Sequence, residues 1–255
     1  ALARAGSEVT MIARGAHLDA IKSHGLHLKT VLLGDFLLNT EATDDMSTLG
    51  PVDLAIFSVK SYGTNIAIRD MAPLIGDETL IVSTQNGIDS ERLLSDAFGG
   101  AHVLGCTVTV SATIEEPGVV VQKGGPGSMV IGEMNSGASR RVDRLVARCK
   151  AAGLAAETSK DIILALWQKF IFISALSGMT ALTRKPIGEI FAQTSTTEMY
   201  RQVLSEVAAV GRAEGVNLHS NTADEILATT QAREPFIIGS MGHDLIAGNP
   251  IEIGL

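Results

Sequence analysis

Through the first 157 residues, apolar runs too short for helices recur between stretches of helical spacing. Residues 8–14 (EVTMIAR) read as a buried strand, and 17–25 (HLDAIKSHG) as a short amphipathic helix closed by Gly25. Residues 26–40 alternate and predict a hairpin around Gly34–Asp35. Residues 52–60 (VDLAIFSVK) form the clearest strand, ending at Lys60. A helix follows over 64–75, a strand over 79–87, and a helix over 89–98 closed by Gly99–Gly100. Residues 103–132 are strand-rich with turn glycines, and 140–153 are an amphipathic helix. Short strands alternating with helices imply a doubly wound (Rossmann-type), mostly parallel α/β sheet.

Beyond residue 157 the texture changes. Helical patterns cover 161–182, 195–214, 221–230 and 235–247, with little strand signal. The expectation is a Rossmann-type domain over 1–157 followed by an all-helical domain over 158–255. The chain opens (ALARAG) in what reads as the last turns of a helix and stops abruptly after NPIEIGL. We therefore expect an interior portion of a longer protein.

Composition narrows the function classes. A formal charge of −8, without a Lys/Arg cluster, argues against a nucleic-acid surface. Cys106 and Cys149 stand apart, as suits a reducing, cytoplasmic setting and neither a zinc site nor a disulfide framework. The six histidines show no metal-ligand spacing, so no metal is expected. The longest apolar stretch is broken by Gln168, Lys169 and two serines, so no membrane span is expected. There is no G-x-S-x-G, and Ser111, Ser174 and Ser177 lack nearby histidines, which removes support for hydrolytic chemistry.

Polar residues recur where strands end, the ligand edge of a doubly wound sheet. Arg14 ends the first strand, where an arginine accommodates the 2′-phosphate of NADP and an acid would take the 2′-hydroxyl of NAD. It equally suits a surface strand cap. Lys60 is either a solvated strand terminus or a cofactor contact. Asn86–Gly87 has the form of a hairpin turn, yet the residues after it are helical, so strand–turn–helix is expected, with Asn86 at the ligand edge. On a helical wheel Lys169 shares an apolar stripe with Ile162, Ala165, Leu166, Ile173, Leu176 and Thr180, with Ser177 to one side. A snorkelling side chain and a general acid are both open readings there. Asp244 and Glu252, with Ser240 one turn before Asp244, offer carboxylates for such an acid.

Strand–Arg14–Gly15, VKSY (59–62), QNG (85–87), LWQKF with ALTR (166–170, 181–184) and SM..D…G..IE (240–252) stand in an order and spacing that resemble the ketopantoate reductase family. The resemblance covers essentially the whole chain. It implies hydride transfer from NADPH to the C2 ketone of ketopantoate, giving pantoate for coenzyme A synthesis. It also implies a first strand and glycine-rich loop before residue 1 and closing helices after residue 255. By resemblance Lys169 is the catalytic lysine, and Glu252 the acid that orients it and the substrate hydroxyl. Ser240 holds the substrate carboxylate, with Ser177 and Asp244 beside it. Arg14, Lys60, Asn86 and Thr107 serve the cofactor side. Where the family carries asparagines four and eight residues after the lysine, this chain has Ile173 and Ser177. Gly63 stands where a polar side chain is frequent. Those departures open a second expectation, a more apolar 2-keto acid, and a third, a cofactor-binding protein without turnover. The long apolar helices would also suit a homodimer.

Overall fold

The computed structural model describes residues 1–31 and 34–253, and at 124–126 the backbone alone. The chain forms two units. The first comprises Ala1–Ser58, Asn65–Thr84 and Leu93–Ile162; the second comprises Val59–Thr64, Gln85–Arg92 and Ile163–Leu255. Two short loops from within residues 1–157, those of Lys60 and Asn86, are therefore counted with the helical residues.

The first unit contains β1 (Thr10–Ile12), α1 (Gly15–His24), β2 (Leu26–Thr30), β3 (Gly34–Leu38), β4 (Glu41–Thr43) and β5 (Leu54–Phe57). After β5 come α2 (Thr64–Asp70), β6 (Leu80–Ser83), α3 (Ser90–Phe98), β7 (Val103–Glu116), β8 (Val119–Glu133), α4 (Arg140–Ala151) and β9 (Ala155–Thr158). The main sheet runs β3-β2-β8-β7-β6-β5, with β9 also on β8, while β1 and β4 form a separate parallel pair. Pairings are parallel except at the hairpins β2–β3 and β7–β8.

Successive strand residues point to opposite faces, and both faces are covered. Ile81 and Val103 pack with Met71, Leu74 and Leu94 on one side. Val82 and Leu104 pack with Val142, Val146 and Cys149 of α4 on the other. Helices on both faces are the doubly wound arrangement that the alternating pattern predicts. Cys106 and Cys149 are buried free thiols in this second layer, and burial pushes the Cys149 thiol up from its ordinary value. Gly105 and Gly132 face each other across β7 and β8. A Cβ on either would come within 2.9 Å of Ile162, which is fully buried on this glycine pair.

Three local expectations are corrected. Thr30 pairs with Gly34 and Lys29 with Asp35, so Gly34 and Asp35 are strand residues and not the turn; residues 32 and 33 lie outside the described residues. Gly34, with φ +71°, is the first residue of β3, a left-handed conformation that glycine adopts without strain. β5 stops at Phe57, and Lys60 instead caps a single 3-10 turn, Ser61–Gly63. β4 and β9 escaped the sequence reading because three- and four-residue strands are too short to show a period.

The second unit holds α5 (Ile162–Thr183), α6 (Ile187–Phe191), α7 (Thr194–Ala213), α8 (Thr222–Gln231) and α9 (Ser240–Ala247). The helix expected over 235–247 begins only at Ser240. Residues before it are used otherwise: the carbonyls of Pro235 and Ile237 accept the N–H groups of Gly188 and Ile187. They satisfy first-turn donors of α6 that no helix can satisfy internally. The core of the unit runs along Trp167, Ile171, Ala175 and Met179 of α5, packed with Tyr200, Leu204 and Ala208 of α7. A Cβ on Gly211 would meet the Trp167 ring at 2.7 Å, so glycine sets how closely α7 approaches α5. Burial pushes the Tyr200 phenol up to about 12, so it stays neutral. By length and composition alone α5 is long and apolar enough to cross a membrane, since Gln168 and Lys169 interrupt it too little. In this fold its most apolar stripe is spent on the core.

Candidate active site

The wheel reading put Lys169 on an apolar stripe, of which the structure buries Ile162, Leu166, Leu176 and Thr180 and half-buries Ala165 and Ile173. The buried row Trp167–Ile171–Ala175–Met179 recurs every four residues, on the core side. Lys169, Ile173 and Ser177 form a second row, offset by two positions and half-buried. Buried Leu166, Leu176 and Thr180 flank this row on the same face of the helix.

The start of α9 lies against the far end of the same helix. Gly239 caps α9, and its N–H donates to Thr180 Oγ1 at 3.0 Å. That hydroxyl, fully buried, donates in turn to the Leu176 carbonyl at 2.6 Å. A Cβ at position 239 would sit 2.8 Å from Ser177 Cα and 2.9 Å from Ser177 Oγ. Ser177 is thereby packed against the cap of α9, and Ser240, exposed, is the next residue in the chain. α9 offers its first-turn N–H groups beside that serine, a favourable setting for a carboxylate.

Asp244, one turn further along α9, and Glu252, beyond the left-handed Gly248, both meet Lys60. The Lys60 Nζ is 2.7 Å from Asp244 Oδ2 and 3.3 Å from Glu252 Oε2. The Ser61 N–H donates to Glu252 Oε1 at 2.7 Å. Partial burial pulls the Lys60 ammonium down; the two carboxylates outweigh this and raise it above the ordinary lysine value. It is therefore charged throughout the neutral range.

Asn86, itself exposed, follows β6 on a half-buried loop that leads directly into α3, so strand–turn–helix is the local form and Asn-Gly makes no hairpin here. Among the described residues Asn86 has no hydrogen-bond partner. In the first unit, Arg14 caps α1 after β1 and pairs with Asp70 at 3.0 Å, both largely solvated. Thr107 is half-buried on β7 opposite Val130. Within the second unit, then, the fold brings Ser177 to the Gly239–Ser240 cap, and Lys60 to Asp244 and Glu252. Arg14 and Thr107 belong to the other unit. No group of three or more possible metal-ligating side chains exists among the described residues.

Sequence reasoning gave no role to Ser61, Gln85 or Gly239, and placed Thr180 on the stripe without a partner. Ser61 acts through its backbone N–H and Gly239 through a missing side chain, neither of which leaves a residue-type signal. Gln85 stood beside Asn86 in the QNG triplet and was the one most open to discovery.

Residues 1–136 match the family model described as Ketopantoate reductase PanE/ApbA, and 161–255 match that of its C-terminal domain. A 2-dehydropantoate 2-reductase of Pyrococcus horikoshii is 31% identical over 99% of this chain and 81% of its own length. The crystal structure of 2-dehydropantoate 2-reductase from Geobacter metallireducens GS-15 superposes with a TM-score of 0.90 at 28% identity, covering 99% of this chain and 83% of that one. That of a PanE/ApbA family ketopantoate reductase from Ralstonia eutropha JMP134 gives 0.88 at 33%, covering 99% and 82%.

Proposed function

Because this chain belongs to the ketopantoate reductase family of oxidoreductases, we propose that it reduces the C2 ketone of 2-dehydropantoate to a hydroxyl with NADPH. The observation that carries this reading is the convergence of chemistry in the helical unit. One row of α5 carries Lys169 and Ser177, and Gly239, the cap of α9 that precedes Ser240, packs on Ser177. The segment after α9 returns a carboxylate, Glu252, to an ordered position.

In this reading Ser240 and the first N–H groups of α9 hold the substrate carboxylate. Lys169 donates the proton to the C2 oxygen as negative charge develops on it, and Glu252 orients the reacting hydroxyl. NADPH, when bound, supplies the hydride to C2. The donor set suits that cofactor. Arg14 has an exposed guanidinium whose charged partner among the described residues is Asp70, through one nitrogen, and it can present its remaining N–H groups to a 2′-phosphate. Lys60, Asn86 and Thr107 are the further cofactor-side candidates.

The second reading is a reductase of a 2-keto acid with a more apolar side chain. It is favoured by Ile173, half-buried one turn after Lys169 on the same row. The test is turnover of NADPH by the full-length protein with 2-dehydropantoate and a panel of branched 2-keto acids, followed at the nicotinamide absorbance. Turnover of the panel without 2-dehydropantoate would transfer the assignment to the second reading. Arg14→Ala is expected to weaken NADPH binding about 10- to 100-fold, the worth of one hydrogen bond to a charged group, and NADH binding far less. Equal losses in a fluorescence titration would contradict the 2′-phosphate role.

A further inference from the structure

The loop between β5 and α2 is braced by one side chain at both of its ends. Gln85 Nε2 donates to the Val59 carbonyl at 2.7 Å and to the Thr64 hydroxyl at 2.9 Å. Between these points stand Lys60 and Ser61, and both reach Glu252. The ammonium of Lys60 takes Oε2 and the N–H of Ser61 takes Oε1. Two adjacent residues thus grip the two oxygens of one carboxylate, which fixes its plane as well as its place. Asp244, on the regular frame of α9, takes the same ammonium more closely, at 2.7 Å. Glu252 itself lies beyond the end of α9, on a segment with neither helix nor strand to hold it. Its placement therefore depends on the groups that grip it.

We propose that Lys60, braced by Gln85 and anchored through Asp244, is a positioning residue that holds Glu252 ready for the reduction. This rests on the reductase reading above and differs from a cofactor-contact role in what it requires. A cofactor contact would act on NADPH affinity. A positioning residue acts on kcat, through Glu252.

The experiment compares full-length wild-type protein with Lys60→Met and Lys60→Arg. It measures kcat, the KM for NADPH, and hydrogen exchange at the Ser61 amide, whose acceptor is Glu252. For Lys60→Met the expected result is a kcat lower by about 100-fold, the cost of a small misplacement at a reacting centre, with the KM for NADPH unchanged. The Ser61 amide should lose protection in Lys60→Met, and Lys60→Arg should recover both protection and a large part of kcat. A raised KM at constant kcat would overturn the proposal in favour of a cofactor contact. Unchanged Ser61 protection in Lys60→Met would overturn it too, by showing that Glu252 is held without the ammonium. A wild-type protein that turns over no keto acid would defeat the reductase reading itself, and this proposal with it.

Discussion

Replacing Lys169 with alanine is expected to lower kcat by about 100- to 10,000-fold, the range that a positioned general acid supplies. Lys169 lies on the half-buried row of α5, away from the Trp167–Ile171–Ala175–Met179 stripe that builds the core. Removing it opens no cavity in that stripe, so the variant should melt within a few degrees of wild type. NADPH binding should also persist, because the proposed role falls on the substrate oxygen. Loss of turnover with folding and cofactor affinity intact is what a proton donor predicts. Steady-state kinetics with a fluorescence titration of NADPH check both halves. A variant that keeps its kcat would mean that the proton comes from another group.

The second large effect is expected from adding a single methyl group. In Gly239→Ala the new Cβ would stand 2.8 Å from Ser177 Cα, closer than carbon atoms approach without movement of the backbone. The cap of α9 must then back away from α5, which stretches the hydrogen bond from the Gly239 N–H to Thr180. Overpacking of this kind costs about 1–3 kcal/mol, visible as a lowered midpoint in denaturant. Ser240 moves with the cap, so the KM for the keto acid should rise in proportion, while NADPH affinity holds. A variant with wild-type stability and KM would show that the close approach of the two helices is not what places Ser240.

How much of this was legible in the chain follows from the physics of each feature. The sheet was readable because strands buried on both faces appear as unbroken apolar runs, as in LAIF and LIVS. The helical unit was readable from its long periodic segments. Lys169 and Glu252 were singled out through the order of motifs around them. A wheel alone could not show which members of the Lys169 stripe the fold buries (Leu166, Leu176, Thr180) and which it leaves half-buried (Ile173, with Ser177 beside it). The clasp on Glu252 was beyond reach for another reason. Its donors lie some 190 positions from the acceptor, and one of them is a backbone amide that every residue but proline carries. The late start of α9 was hidden because residues 235–239 have helical spacing but give their carbonyls to α6.

The contact between Gly239 and α5 has a consequence for how such a site can change over time. The position of Ser240 depends on a glycine packed on Ser177, a backbone amide and the hydroxyl of Thr180, none of which involves residue 173. Residue 173 can therefore exchange one shape or polarity for another without shifting the group assigned to the substrate carboxylate. Anchor and selectivity are separately heritable in this fold: one set of positions can stay fixed while another explores new keto acids by single substitutions.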